Sequence, residues 1–279
     1  MMEIPEAAVY ARQLNETVMG RRVASAQAAH SPHKFTWYQG APRDYSGLLK
    51  GKLIAEAYPL NGTLEMRIGD VFLALSEGAN MTYYPAGAKL PQKHQLLLQL
   101  EEGSALSVSV QMYGGIMCFH EGENKNPYYL VVREKPSPLS DTFDRDMFDA
   151  LFAPQEAKKL SAKALLATEQ RIPGLGNGVL QDILYNAKIH PKRPVNSLSP
   201  EEKNVLFVSV KRTLKDMADK GGRDTEKDLF GDPGGYATKC SKNTVGKSCQ
   251  ICGGLIEKGS YLGGSIYFCP GCQKLFLES

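Results

Sequence analysis

The chain has 279 residues, of which 42% are hydrophobic and 23% charged, with a formal net charge of +3. That is the composition of an ordinary globular protein long enough for two domains. No apolar run approaches the roughly 18 residues of a membrane span, and the N-terminus has no apolar signal core, which leaves a cytoplasmic protein with no membrane partner as the expectation.

Charge is unevenly spread. Residues 1–154 carry 14 Lys/Arg against 17 Asp/Glu, and residues 155–279 carry 19 against 13. A basic C-terminal half beside a mildly acidic N-terminal half suggests that one domain meets a polyanion.

Ile4-Pro5-Glu6 opens a helix, with Pro5 suited to its first position and Glu6 to its positive end. Val9, Gln13, Leu14, Val18 and Met19 give it a partly apolar stripe, and Gly20 ends it. Met1, Met2 and Glu3 therefore project from the start of a helix and are expected to be held in place.

From residue 22 to about 133 the signals are β. Segments 22–28, 52–58, 63–68, 71–75, 95–100, 104–110, 114–119 and 128–133 are short and separated by turn residues. Asn61-Gly62, Gly69-Asp70 and Glu102-Gly103 are hairpin turns. Short strands at this spacing predict a β-sandwich or flattened barrel with the first helix packed on it. His30, His33 and His94 lie near loops and read as surface histidines, because nothing completes a metal site around them.

Two prolines and several polar residues make 134–142 a linker or hinge. Helices are expected at 143–151 and 154–168. Ser199-Pro200-Glu201-Glu202 is a capping box opening a helix whose apolar face is Leu206, Val210, Leu214 and Met217, ended by Gly221-Gly222. Between them, Ile172-Pro173-Gly174-Leu175-Gly176-Asn177 is a glycine-rich turn before a further helix, a place where backbone N–H groups can approach a phosphate.

The chain ends in Cys249-Gln-Ile-Cys252 and Cys269-Pro-Gly-Cys272, two knuckles whose spacing suits one tetrahedral ion. Leu255-Ile256 and Ser265–Phe268 are the expected strands of a hairpin between them, turned near Gly263-Gly264. Zinc is the preferred ion. Iron shares the ligand set, and a pair of disulfides is the alternative. With all four thiolates used, the site is structural. Of the remaining cysteines, Cys118 and Cys240 read as a core thiol and a surface thiol.

Taken in order, these parts resemble the formamidopyrimidine-DNA glycosylase and endonuclease VIII family of base-excision repair enzymes. The resemblance runs over essentially the whole chain. It rests on the Glu3-x-Pro5-Glu6 helix start, the β-rich segment, Pro173-Gly174-Leu175-Gly176-Asn177, Ile189-His190-Pro191, Gly221-Gly222, Gly234-Gly235-Tyr236 and the four cysteines. It implies an α+β protein: an N-terminal β-sandwich with an N-terminal helix (residues 1–134), a hinge (135–153), a helix–two-turn–helix DNA-binding domain (154–240) and a C-terminal four-cysteine zinc-finger hairpin (241–279).

The resemblance also implies roles. Asn177 and Lys163 take positions that contact the backbone phosphate of a damaged nucleotide, and residues 221–239 correspond to a loop that closes over a flipped base. Glu3 takes the position of a general acid/base. Met2 occupies the slot of an N-terminal proline whose amine attacks C1′ and forms a Schiff base. If Met1 is retained, the Met2 nitrogen is an amide and no nucleophile. If translation starts at Met2, a primary amine with an ordinary pKa near 8 stands there instead.

Three further positions depart from the family pattern. A hairpin lysine is replaced around Asn61-Gly62, a finger arginine falls near Gly264, and an Arg-x-Phe wedge is absent near 112–114, leaving Met81 as the remaining wedge candidate. The implied function is base-excision repair: binding damaged duplex DNA and removing the damaged base as an N-glycosylase, with or without AP lyase activity. The alternative is a DNA-structure or damage-binding protein that kept the clamp and lost the chemistry. Structural zinc, a monomer, and a cytoplasmic location (with the nucleoid, if bacterial) complete the expectation.

Overall fold

The computed structural model describes residues 2–275. They divide into two compact units, residues 2–134 with 226–234, and residues 135–225 with 235–275.

The first unit opens with helix α1 (Ile4–Thr17), whose Ala7, Val9, Tyr10, Ala11 and Leu14 are buried. A four-stranded antiparallel sheet follows the order β1-β7-β8-β6, from Val23–Ala28, Leu96–Leu100, Ala105–Val110 and Ala79–Tyr84. A five-stranded sheet has the order β2-β9-β5-β4-β3, from Thr36–Gln39, Gly114–His120, Val71–Leu75, Thr63–Ile68 and Ile54–Leu60. In it β2 runs parallel to β9, and the other pairs are antiparallel. A short helix α2 (Tyr45–Leu49) links β2 to β3.

The core lies between the two sheets, where Leu64, Met66, Leu73 and Ile116 meet Leu96, Leu98, Leu106 and Val108. Strand β5 is buried along its whole length because the five-stranded sheet is covered on both faces. The outer cover is helix α3 (Pro127–Glu134), where the sequence pattern predicts a strand at 128–133. The apolar run Tyr-Tyr-Leu-Val-Val carries no β-versus-α signal of its own. The local chemistry settles it: the Asn126 side chain accepts from the N–H groups of Tyr128 and Tyr129, and Pro127 takes the first helical position. Tyr129 and Val132, three apart, then face the sheet beside Phe72, Met117 and Phe119. Glu65 on β4, fully buried, accepts from the hydroxyls of Tyr58 and Tyr129 and pairs with Arg133.

Strands β2 and β6 and helix α2 have no counterpart among the expected elements, since short half-buried segments show little periodicity. His94, expected at the surface, is buried and stacks on His30 with ring centroids 4.6 Å apart.

The second unit contains α4 (Arg145–Ala150), α5 (Ala162–Ala167), α6 (Asn177–Asn186) and α7 (Pro200–Asp219), then a two-stranded hairpin, β10 (Glu257–Tyr261) and β11 (Gly264–Phe268). The expected helix over 154–168 is broken into a 3-10 turn (Ala157–Lys159) and α5. Ser161 caps α5 by accepting from the Ala164 N–H, and the carbonyls of Arg193 and Pro191 take the N–H groups of Ala162 and Lys163. Residues 135–153 are folded into this unit: Lys211 donates to the carbonyls of Ser140 and Phe143, and Phe143 and Phe148 stack around Phe207 on α7. The capping box at Ser199 and Glu202 forms as expected.

Candidate nucleic-acid interface and metal centre

The four cysteines of the C-terminal hairpin come together. One sulfur from each of Cys249, Cys252, Cys269 and Cys272 lies within 4.8 Å of the others. The Cys252–Cys269 and Cys249–Cys272 sulfurs are 3.4 and 3.7 Å apart. Tetrahedral ligation with bonds of about 2.3 Å requires sulfurs somewhat under 4 Å apart, so the set fits one four-thiolate ion. All six cysteines of the chain are free thiols. At the first knuckle the Ile251 N–H points at the Cys249 sulfur, and Tyr185 on α6 places its hydroxyl 3.1 Å from the same atom. Burial raises the Cys249 thiol, but the Tyr185 hydroxyl and the knuckle N–H groups outweigh it and bring it down to about 6. Gly271 is needed for space: a Cβ there would come within 2.8 Å of the Cys252 sulfur.

The strands of this hairpin start later than the sequence pattern predicts, at Glu257, and turn through Leu262-Gly263, both at positive φ. Cys240, expected at the surface, is buried. Its N–H and that of Lys239 are both accepted by Asp182 of α6, which fastens the entry to the finger. Burial raises the Asp182 carboxyl, and these two N–H groups act in the opposite direction.

Lys163 and Asn177 meet on the same hairpin. The Lys163 ammonium donates to the Tyr261 carbonyl at 2.8 Å, and the Asn177 amide donates to the Ser265 carbonyl at 2.9 Å. Gly264 lies between them, where an added Cβ would sit 3.3 Å from the Lys163 nitrogen and 3.7 Å from the Asn177 amide. Burial lowers the Lys163 pKa. Gln181, one turn after Asn177, completes the group: it donates to the Asn177 carbonyl and accepts from the Tyr267 N–H. Sequence reading passed over Gln181, whose only signal is the four-residue offset from Asn177.

In the first unit, Glu3 is the N-cap of α1. It forms a reciprocal box with Glu6, whose carboxylate accepts the Glu3 N–H at 3.1 Å. Met2 is 2% exposed, its side chain part of the sandwich core. Met1, which would carry a free amine, lies outside the described residues. Glu77, in the turn between β5 and β6, has its carboxyl raised by burial and by the charge of Glu3. Met81 is 1% exposed in the sandwich core on β6, so its side chain is not available as the expected wedge. Asn61, at the expected place of the hairpin lysine, is buried and donates to the Val132 carbonyl.

Part of the expected 221–239 loop is a strap within the first unit. Gln13 of α1 holds it from both ends of its amide, donating to Asp228 at 2.7 Å and accepting from the Leu229 N–H at 3.0 Å. Leu229 is fully buried in the core and its carbonyl accepts from Tyr83 on the edge strand β6. Tyr10 donates to the Lys227 carbonyl, and Phe230 meets the Tyr83 ring edge-on.

Comparison with known proteins matches this architecture. Residues 135–228 match the family described as "Formamidopyrimidine-DNA glycosylase H2TH domain". A formamidopyrimidine-DNA glycosylase of Laribacter hongkongensis is 32% identical over 189 residues, covering 66% of this chain and 68% of that protein. The chain belongs to the formamidopyrimidine-DNA glycosylase family. A Lactococcus lactis subsp. cremoris member of the family is 26% identical over 98% of this chain and 100% of its own length. Among solved structures, the Lactococcus lactis Fpg in complex with an abasic-site DNA shares the fold with a TM-score of 0.83 at 23% identity, covering 98% of this chain and 99% of that one. A MutM bound to DNA containing carbocyclic 8-oxo-G does so at 0.82 and 24%. No helix among the described residues is long and apolar enough to cross a membrane. The family fold thus places a basic side chain and an amide against a sulfur-braced hairpin in one unit, and a capped glutamate at the head of α1 in the other.

Proposed function

We propose that this chain binds damaged duplex DNA and removes a damaged base, with Lys163 and Asn177 contacting the backbone phosphate and Glu3 acting as the general acid/base. The observation that carries this reading is the convergence of the Lys163 and Asn177 side chains on the finger hairpin of a glycosylase-family fold. Relatives whose structures contain abasic-site or 8-oxo-G DNA support the substrate class. The four cysteines hold one structural zinc ion, which supplies no chemistry of the reaction and keeps the hairpin ordered.

In this reading Met2 stands in the slot that a proline takes in the family. Base removal therefore runs through a primary amine, if the mature chain begins at Met2, or by water that Glu3 activates, without strand cleavage. The burial of Met2 in the core favours a second reading, a damage-binding protein without the chemistry. Both readings act as a monomer on DNA inside the cell.

The test is incubation of the protein, its N-terminus defined by intact mass, with duplex DNA carrying an abasic site in the presence of borohydride. A trapped adduct that disappears when the α-amine is blocked supports the amine route. Base release from damaged duplex without trapping supports the hydrolytic route. Binding with neither outcome leaves the damage binder, and the absence of binding would defeat both readings.

A further inference from the structure

Four large side chains are exposed on neighbouring segments of the first unit. Phe35 is 58% exposed, Trp37 45%, Met112 60% and Tyr113 55%. They come from the turn into β2, from β2 and from the loop before β9, which are joined directly: the Phe35 carbonyl accepts from the Gly114 N–H at 3.2 Å, and Trp37 pairs with Gly115 in the parallel register. Phe35 lies in the turn that leads into β2, two residues before Trp37 on the strand. Helix α3 covers that outer face over β5 and β9, through Phe72, Met117 and Phe119. At β2 the aromatic rings take its place at the surface.

The floor under them is flat by construction. The Trp37 indole lies across Gly115, where an added Cβ would stand 3.2 Å from the ring. One cation is adjacent: Lys34 stands over the Phe35 ring, its nitrogen 5.3 Å from the centroid. Flat π faces with an adjacent cation suit a nucleobase with its phosphate better than an aliphatic protein surface.

We propose that Phe35 and Trp37 form a stacking platform for an unpaired nucleobase, with Lys34 meeting the neighbouring phosphate. The proposal rests on the DNA-binding reading above and adds a site to it. It predicts a preference for DNA that offers an unpaired base over a fully paired duplex.

Trp37 is the chain's one tryptophan, so the site reports on itself. The experiment titrates the full chain with a fluorescein-labelled duplex carrying a one-thymidine bulge and with its fully paired counterpart. Binding is read by anisotropy, and Trp37 emission is followed with the unlabelled strands. The expected result is strong quenching by the bulged duplex and little by the paired one. Phe35→Ser, which keeps the reporter, and Trp37→Leu should each weaken binding of the bulged duplex roughly five- to hundredfold and leave the paired duplex unchanged. An unchanged thermal midpoint shows that the variants remain folded. Binding of the bulged duplex with unaltered emission, or with undiminished affinity in both variants, overturns the platform alone. Emission that changes with protein concentration, together with a dimer by sedimentation, assigns the patch to contact between copies and also overturns it. Failure to bind any DNA overturns the DNA-binding reading as well.

Discussion

Asn177 carries two duties with one side chain. Its amide nitrogen holds the Ser265 carbonyl of the finger hairpin, and its carbonyl oxygen accepts from Gln181. Replacing Asn177 with Ala is expected to weaken binding of abasic duplex about tenfold, the usual scale of one lost hydrogen bond to a charged group. Anisotropy titration checks this, and unchanged affinity would remove Asn177 from the interface. Glu77 gives a pH prediction. Its carboxyl is raised by burial and by Glu3, so the folded state favours the neutral acid. The stabilising contribution is present below the unfolded carboxyl pKa and is lost as pH rises through the raised folded value. Glu77→Gln should therefore gain thermal midpoint over wild type near pH 8 and gain little near pH 4; parallel pH profiles for the two proteins would contradict the assignment. At this scale the sequence was readable where a residue's role is written in spacing. The four cysteines declare their site through two C-x-x-C knuckles. The burial of Met81 and Cys240 is not legible, because it depends on which strand face or loop packs inward, and neither has a local signature.

Helix α3 shows how element identity can turn on one cap. Its apolar run fits a strand by composition, and the Asn126-Pro127 start together with the Glu65 partner makes it a helix. Tyr129→Phe removes one donor to a fully buried carboxylate and should cost about 1–3 kcal/mol, read as a lower denaturation midpoint. A midpoint within error of wild type would mean that Arg133 and Tyr58 suffice to hold Glu65. The hairpins at Asn61-Gly62, Gly69-Asp70 and Glu102-Gly103 were legible because turn chemistry is local, and Asn61 adopts the positive φ of 53° that such a turn demands. Strands β2 and β6 were not: four to six half-buried residues carry too few alternations to stand out, and their pairing partners are distant in sequence.

For the whole molecule, the finger and the sandwich are stabilised by different means. The first unit has a continuous apolar core, whereas the finger hairpin has a small cluster built around its own cysteines. Cys269→Ser is expected to abolish stoichiometric zinc and to disorder residues 249–272, while the sandwich keeps its unfolding transition. Metal analysis and hydrogen exchange would check both parts, and a finger that stays protected without metal would contradict the assignment. The strap has a different consequence, one that concerns synthesis. A ribosome finishes residue 134 long before it reaches Leu229, yet Leu229 fills a fully buried place in the core of that first unit. The nascent N-terminal unit thus waits with a vacancy in its core while α4 to α7 are made. It completes its packing only when the chain emerging from the tunnel has passed residue 234, although that unit is encoded almost entirely in its first 134 residues.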